Sequence, residues 1–171
     1  MRKIIILIIL AGIITITFLV LNTDNKRDQR KEVYGHIPIF SLPDINGKLV
    51  TSTDLPKSKP VLFIFFDPGC HLCKEEIIQI GLHNKQFSNC QVVFFSLLPA
   101  KTTQEFLVEI GFVPEENIIF LVDEDLFLYS KMEVRYSPTT YIYNKDGELI
   151  KKFEGPVKTT AILRNIANNN K

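Results

Sequence analysis

The sequence contains no tryptophan, two methionines and only three cysteines among its 171 residues. Three cysteines are too few for the disulfide framework of a small secreted scaffold, so a cysteine pair here indicates catalysis rather than structural crosslinking. Basic residues are not in excess: over residues 22–171, 18 Lys and Arg face 19 Asp and Glu. Because a nucleic-acid surface requires a basic stripe, this composition argues against a nucleic-acid partner.

The chain begins with a long run that carries no charge. The short basic head Met1–Lys3 precedes 18 uncharged residues, Ile4–Leu21. As a helix this run would be about 27 Å long, close to the roughly 30 Å hydrocarbon core of a bilayer. Its end, Phe18–Leu21, has no small-x-small cleavage site. We therefore predict that residues 1–21 are an uncleaved, single-pass signal-anchor rather than a cleaved signal peptide.

The orientation of this anchor depends on the charges around it. Residues 22–35 form a predicted charged linker in which four basic residues are interleaved with three acidic ones. A strict positive-inside count would place the C-terminal domain in the cytoplasm. A very short basic head is, however, typical of an exported segment. We favour export, with the domain at residues 36–171 held off the membrane on the periplasmic or other extracytoplasmic side.

Two cysteines stand where a predicted strand gives way to a predicted helix. The unbroken apolar run Val61–Phe66 is typical of a strand buried on both faces. Asp67–Gly69 then end the strand, and Cys70 and Cys73 follow with two residues between them. Helical periodicity begins after Cys73. A CxxC between a buried strand and a helix predicts a thiol-disulfide redox pair.

The placement assigns different roles to the two thiols. A helix N-terminus presents free amide N–H groups and the positive end of the helix dipole, which stabilise a thiolate. We therefore expect Cys70 to be the attacking thiol and Cys73, buried one turn along, to be the resolving thiol. His71, if protonated, would add to this stabilisation. Two alternatives remain: half of a zinc site, for which no second Cys or His pair is visible, and a pair of buried inert thiols.

The rest of the chain alternates strands and helices. Two short strands are predicted around an Asn46–Gly47 turn, followed by a short helical or turn segment at Thr51–Leu55. Further strands are predicted at Gln91–Leu97, Asn117–Val122, Thr139–Tyr143 and Glu148–Phe153, and further helices at Thr102–Ile110, Glu124–Met132 and Thr159–Ala167. This order predicts an α/β three-layer sandwich with a mixed central β-sheet and an added N-terminal β-hairpin.

Four motifs in this order together resemble a known family. They are Ile39–Asp44 with Gly47 and Leu55, the turn Phe65–Glu76, the loop Ser137–Tyr141, and the hairpin turn Asn144–Glu148. Residues 37–168 thereby resemble the thioredoxin-like domain of TlpA/ResA-type thiol-disulfide oxidoreductases, within the redoxin group. The resemblance implies a membrane-tethered, extracytoplasmic enzyme that exchanges disulfides with protein substrates. It also implies an upstream membrane electron donor, no cofactor, and cytochrome c maturation as one role.

The sequence departs from the family pattern next to the dithiol. Gly69 replaces the tryptophan that usually precedes the first cysteine, and Ile64 occupies the position of the buried acid of thioredoxins. Proton transfer to and from Cys73 then needs water or another carboxylate. Without that acid, and with His71 beside Cys70, we expect the thiolate to be favoured. The reduction potential should then be less negative than the roughly −270 mV of thioredoxin.

The resemblance also gives a role to Pro138. Taken alone, it is a turn proline at the start of a strand. As part of the family's loop it is expected to be cis and to face Cys70, which leaves the backbone of Ser137 free to pair with a substrate strand.

Four further residues have expectations of their own. Glu76 is interpreted first as a first-turn carboxylate that favours the helix dipole, and second as a proton carrier. Cys90, just before a predicted buried strand, is expected to be a core or edge thiol, with a regulatory thiol as the alternative. His36 and His83 are expected at the surface or in a linker.

Two other functions remain for a domain of this kind. A peroxidase of the same fold needs a threonine three residues before its reactive cysteine and a proline seven before it, where this sequence has Asp67 and Phe63. A copper-delivery module would use the cysteines with a distal histidine, and His71 and His83 are poorly placed for that. Exchange through Cys70 and Cys73 is therefore the leading hypothesis.

Overall fold

The computed structural model describes residues 10–19 and 34–169. Residues 10–19 are helical and belong to a first helix, α1. Within the described ranges, no helix is both long and apolar enough to cross a bilayer. The predicted anchor, residues 1–21, lies partly outside the described residues. The linker, residues 22–35, lies outside them except for its last two positions. Both stay predictions.

The domain predicted at residues 36–171 opens with a hairpin. Strand β1 (Ser41–Pro43) pairs antiparallel with β2 (Leu49–Thr51). In the turn between them Gly47 has a φ of 82°, a left-handed conformation that favours glycine. A 3₁₀ turn at Ser52–Asp54 follows and is closed by a capping box between Thr51 and Asp54. The predicted hairpin and the predicted short helical segment are both confirmed.

The central sheet has five strands whose spatial order differs from their order in sequence. They are β3 (Val61–Phe65), β4 (Gln91–Ser96), β5 (Ile118–Val122), β6 (Thr139–Tyr143) and β7 (Leu149–Glu154). In space the order is β5-β4-β3-β6-β7. Strands β3, β4 and β5 are mutually parallel, whereas β6 and β7 run antiparallel to their neighbours. The sheet is therefore mixed, as predicted.

Strand β3 lies at the centre of this sheet and is buried along its whole length. Its alternate side chains enter two separate cores: Leu62 and Ile64 pack in one cluster, and Val61 and Phe63 in the other. Because both faces are covered, neither set can be polar, which explains the unbroken apolar run in the sequence.

Helices and the hairpin form the two outer layers. The helices are α2 (His71–Leu82), α3 (Asn84–Phe87), α4 (Ala100–Glu109), α5 (Phe127–Lys131) and α6 (Thr159–Asn168). Side chains of α2, α4 and α6 fill the core on one face of the sheet. Side chains of the hairpin and α5 fill the core on the other face. This is the predicted three-layer arrangement, and α3 is an addition that the sequence did not suggest.

Two helix starts differ from the prediction. Helix α4 begins at Ala100 with Pro99 as its N-cap, two residues before the expected Thr102. Helix α5 begins at Phe127 rather than Glu124, because the buried Asp123 carboxylate accepts backbone hydrogen bonds from Phe127 and the two residues after it. A carboxylate in this position caps the helix, because it accepts N–H groups of the first turn that have no partner within the helix.

Candidate active site

A tight turn carries the chain from β3 into α2. The backbone carbonyl of Asp67 accepts the N–H of Cys70 at 2.9 Å, and the Asp67 carboxylate accepts the N–H of Gly69 at 2.8 Å. These two hydrogen bonds end the strand and leave Cys70 as the N-cap of α2. The strand–turn–helix geometry inferred around the two cysteines is therefore present.

Cys70 has the environment of a reactive thiol. Its side chain is half-buried, and its sulfur accepts the backbone N–H of Cys73 at 3.4 Å. That N–H is one of the free donors of the first helical turn, and it stabilises a thiolate more than a thiol. Both cysteines are free in this structure. Cys70 is thus the accessible member of the pair.

Cys73 lies one turn along α2 and is fully buried. Burial and, to a smaller extent, the adjacent Cys70 sulfur raise the pKa of its thiol to about 12, although hydrogen bonds from the Ser137 hydroxyl and the Asp67 backbone act to lower it. A thiol in this state is protonated at neutral pH. It must lose this proton before it can attack the neighbouring Cys70 sulfur.

The loop before β6, which is distant in sequence, forms the other side of the site. The Ser137–Pro138 peptide bond is cis. The Cys70 sulfur lies 3.7 Å from the Ser137 carbonyl oxygen, and the Cys73 sulfur lies 3.0 Å from the Ser137 hydroxyl. The structure therefore brings Cys70, Cys73, Ser137 and Pro138 into one site, although the two pairs are more than 60 residues apart in sequence.

His71 lies next to Cys70 in sequence but has a different partner. Its Nε2 is 3.0 Å from the Glu75 carboxylate, one helical turn away, and the two side chains are 79% and 61% exposed. Glu75 thus balances the charge that a protonated His71 would carry. At such exposure, water also screens the effect of this imidazole on the dithiol.

The position expected for Glu76 is wrong. Because α2 begins at His71, Glu76 falls in the second turn rather than the first, and only 5% of it is exposed. Its two carboxylate oxygens accept hydrogen bonds from the Thr140 hydroxyl at 2.8 Å and the Val157 N–H at 3.1 Å. Burial raises the pKa of Glu76, and these two hydrogen bonds oppose the rise. Glu76 is a core carboxylate that joins α2 to β6 and to the segment before α6.

The remaining cysteine and histidines lie away from this cluster. Cys90 is buried in the core beneath the helical face, and burial raises the pKa of its thiol to about 11. His36 is exposed, and His83 ends α2 with its Nδ1 2.8 Å from the Gln79 carbonyl. The expectations of a core thiol and a surface His36 are confirmed.

Exposed apolar side chains follow the strands that end near the dithiol. The carboxyl ends of parallel strands share one edge of a sheet, so the loops after β3, β4 and β5 lie at the same edge as Cys70. An exposed apolar side chain is present in each loop or helix start at this edge. Another is present on the residue before Ser137. We call this set the apolar rim: Leu72, Leu98, Leu126, Phe127 and Tyr136. The sequence reasoning missed it, because single exposed apolar residues give no periodic signal.

The fold and the dithiol together define a class. A thioredoxin-like sandwich with a CxxC at the N-terminus of its second helix and a cis-proline loop opposite is the arrangement of a thiol-disulfide oxidoreductase. Residues 33–152 match the model of the AhpC/TSA family, and the chain belongs to this family.

Individual relatives agree with this assignment. The chain is 27% identical over 128 residues to the thiol-disulfide oxidoreductase ResA of Bacillus subtilis, which covers 73% of this chain and 69% of that protein. It is 30% identical over 108 residues to the thiol-disulfide oxidoreductase YkuV of the same organism, which covers 61% of this chain and 72% of that protein. A solved structure of a putative thioredoxin from Neisseria meningitidis superposes with a TM-score of 0.65 at 25% identity, over 77% of this chain and 87% of that one. The family resemblance predicted from the four motifs is confirmed.

Proposed function

We propose that this domain exchanges disulfides with protein substrates on the extracytoplasmic side of a membrane, using Cys70 as the attacking thiol and Cys73 as the resolving thiol. One observation carries the proposal: the half-buried Cys70 caps α2 and faces the Ser137 carbonyl, while Cys73 lies fully buried behind it. Only Cys70 can meet the disulfide of a folded partner.

The exchange takes place in two steps. The Cys70 thiolate attacks one sulfur of the substrate disulfide, so a Cys70–substrate disulfide forms and the other substrate sulfur leaves as a thiolate. Cys73 then loses its proton and attacks the Cys70 sulfur, which releases the second substrate sulfur. The dithiol is oxidised by two electrons, the substrate disulfide is reduced by two, and the reverse sequence oxidises a substrate dithiol.

A protein substrate fits the surroundings of Cys70 better than a small molecule does. The Ser137 carbonyl beside Cys70 can accept a backbone N–H from an extended substrate segment, in the manner of an added strand. The apolar rim adds exposed apolar side chains at the same edge of the sheet, and exposed apolar patches mark interaction sites. These features support a polypeptide partner.

Three finer features belong to the same proposal. The signal-anchor at residues 1–21 would tether the domain, the linker at residues 22–35 would space it from the bilayer, and a membrane protein would supply or accept the electrons. Cytochrome c maturation is one process that needs this chemistry, because haem attachment requires reduced substrate cysteines. The family resemblance supports these features.

Single cysteine variants test the division of labour. Cys70→Ser should abolish reduction of insulin disulfides, because no accessible nucleophile remains. Cys73→Ser should instead accumulate mixed disulfides with substrates, because the resolving attack is lost. Cys90→Ser is the matched control, since Cys90 lies in the core away from the dithiol, and it should retain activity. Equal alkylation rates of Cys70 and Cys73 at neutral pH would overturn the assignment.

A further inference from the structure

The loop between β5 and α5 holds a leucine in a backbone conformation that favours glycine. Leu126 has a φ of 57°, in the left-handed region, where the Cβ of an ordinary residue crowds the backbone. Its N–H donates to the Asp123 carbonyl at 3.0 Å. The Asp123 carboxylate binds the N–H groups of Phe127 and of the two residues after it. These hydrogen bonds enforce a conformation that leucine does not prefer.

Packing within the domain does not explain this leucine. Its side chain is 45% exposed, and it belongs to neither of the two apolar clusters that cover the sheet. The next side chain, Phe127, is also exposed. A glycine would satisfy the same turn without the strain. Strained residues of this kind cluster where a protein binds a partner, so the side chain of Leu126 is better explained by a contact outside the domain.

The loop lies at the edge of the sheet that carries the dithiol. In the strand order β5-β4-β3, the end of β5 is two strand spacings, or about 10 Å, from the end of β3. One turn after Leu126, the ring centroid of Tyr129 is 5.2 Å from that of Phe65, the last residue of β3. About three residues of extended chain span 10 Å. A polypeptide whose cysteine meets Cys70 can therefore reach Leu126 with a side chain about three residues away.

The two residues before Leu126 indicate the charge of the partner. Glu124 and Asp125 are both exposed, and neither forms an ion pair with any residue in the part of the chain that the structure describes. Complementary charges across an interface steer association and select partners. A basic side chain next to the apolar one would match this loop.

We propose that Leu126 is a specificity-determining residue, which binds an apolar side chain about three residues from the substrate cysteine that reacts with Cys70. Glu124 and Asp125 attract a basic residue beside that side chain, and Phe127 adds to the apolar contact. The inference rests on the proposed function and names its substrate class: an extended polypeptide segment with apolar and basic residues near its cysteine.

Three synthetic peptides test this contact. Each carries one cysteine as a mixed disulfide with thionitrobenzoate, which leaves as a coloured thiolate when Cys70 attacks the peptide sulfur. Cys73 then attacks Cys70 and releases the peptide, which takes up the Cys73 proton through solvent. The dithiol loses two electrons and the mixed disulfide gains them. One peptide has leucine three positions before and after the cysteine, with a lysine beyond each leucine. The second has glycine for leucine, and the third has glutamate for lysine.

The rate of colour release measures recognition by Leu126. About half of this side chain remains to be buried, so the unaltered protein should react about three- to tenfold faster with the leucine peptide than with the glycine peptide. Leu126→Gly and Leu126→Ala should lose this preference to within about twofold, with an unchanged rate on the glycine peptide. Leu126→Met should keep it. The glutamate peptide should react more slowly than the lysine peptide, and the difference should shrink at high salt.

The variants are made in the full-length chain carrying Cys90→Ala, so that only the two site thiols remain. Val113→Ala is the matched control, because Val113 is an exposed apolar residue before the start of β5, at the other end of the sheet. It should keep the preference for the leucine peptide.

Urea denaturation tests the strain separately from the contact. Leu126→Gly and Leu126→Ala lose the same apolar side chain, but only glycine lacks the Cβ that the left-handed conformation disfavours. Leu126→Gly should therefore unfold at a higher urea concentration than Leu126→Ala. Equal midpoints would overturn the inference, because no strain would then require a contact outside the domain.

The outcomes distinguish this inference from the proposed function. A leucine preference that survives in Leu126→Gly and Leu126→Ala, or is absent from the unaltered protein, overturns the contact and leaves the exchange mechanism intact. A glutamate peptide that reacts as fast as the lysine peptide overturns the role of Glu124 and Asp125. If the unaltered protein releases no colour from any peptide, or Cys70→Ser releases it as fast, the proposed function itself is wrong.

Discussion

At the scale of single residues, Glu76 shows how the start of a helix decides the environment of a side chain. With α2 beginning at His71, the residues on its buried face are Cys73, Glu76, Ile77 and Ile80. Their spacing is that of a helical stripe, so the sequence did contain a signal that Glu76 faces the core. The sequence could not show that Thr140 is the hydrogen-bond partner of Glu76, because Thr140 is 64 residues away and only the sheet brings it near.

Glu76 leads to a prediction about stability and pH. Since burial raises the pKa of Glu76 in the folded state, the folded protein holds this proton more tightly than the unfolded chain does. The contribution of Glu76 to stability is therefore fully present below the ordinary glutamate pKa and is lost as pH rises through the raised value. Measured by urea denaturation, the stability of the unaltered protein should fall relative to Glu76→Gln as pH rises above about 4.5.

Two variants at this position check the cause. Glutamine can accept from the Val157 N–H and donate to the Thr140 hydroxyl, so Glu76→Gln should be close to neutral or stabilising at pH 7. Glu76→Ala should cost about 1–3 kcal/mol, because the buried Thr140 hydroxyl and the part-buried Val157 N–H both lose their partner. A constant difference in stability between the unaltered protein and Glu76→Gln from pH 4 to 8 would contradict the raised pKa.

At the scale of elements, the N-terminus of α2 is the main electrostatic influence on the Cys70 sulfur. The Cys73 N–H reaches the Cys70 sulfur directly, whereas the His71 imidazole is exposed and paired with Glu75. Of the two sources of thiolate stabilisation inferred from the sequence, the helix terminus is therefore the dominant one. Stabilising the thiolate stabilises the reduced form and makes the dithiol a weaker reductant.

This assignment predicts the reduction potential and its response to mutation. Glutathione titration should give a value between the roughly −270 mV of thioredoxin and the roughly −120 mV of a strong oxidant. His71→Gln should shift it by less than about 30 mV, which corresponds to a tenfold change in the equilibrium constant of this couple. Cys90→Ala serves as the background, so that a single dithiol titrates.

Two results would contradict this prediction. A larger shift in His71→Gln would show that the imidazole controls the thiolate despite its pairing with Glu75. A potential more negative than that of thioredoxin would show that neither group sets it. A reductant of haem-attachment cysteines would then be the better interpretation of the domain.

The elements also show which parts of the fold were readable from sequence. The strand–turn–helix around Cys70 was predictable, because an unbroken apolar run, a Pro-Gly turn and helical periodicity are all local signals. The start of α5 was not, because it depends on a buried Asp123 carboxylate that binds three backbone N–H groups. The contact of Ser137 with both thiols was not predictable either, because it joins two loops that are distant in the chain.

At the scale of the whole molecule, the dithiol lies at one end of the sheet strands, and residues 34 and 35, where the chain enters the domain, lie at the other end. Register places Thr139 opposite Phe65, beside the dithiol turn, and Tyr143 opposite Val61, at the far end of β3. The chain enters at that far end: the Tyr34 carbonyl accepts the Tyr143 hydroxyl at 3.0 Å, and the Gly35 carbonyl accepts the Leu149 N–H at 2.7 Å. If the predicted linker at residues 22–35 tethers the domain, its attachment at this far end would leave Cys70 and the apolar rim free for a partner.

The last prediction concerns which side of the membrane this site faces. We expect a reporter fused after Lys171 that is active only outside the cytoplasm to be active, because the short basic head at Arg2 and Lys3 is typical of an exported segment. The mature protein should also keep its first 21 residues, as mass spectrometry of the intact chain would show. The basic residues of the linker act in the opposite direction. Replacing them by glutamine should therefore raise reporter activity or leave it unchanged, whereas replacing Arg2 and Lys3 by glutamine should lower it. Activity of a reporter that works only in the cytoplasm would overturn the orientation, and the domain would then exchange disulfides with cytoplasmic partners.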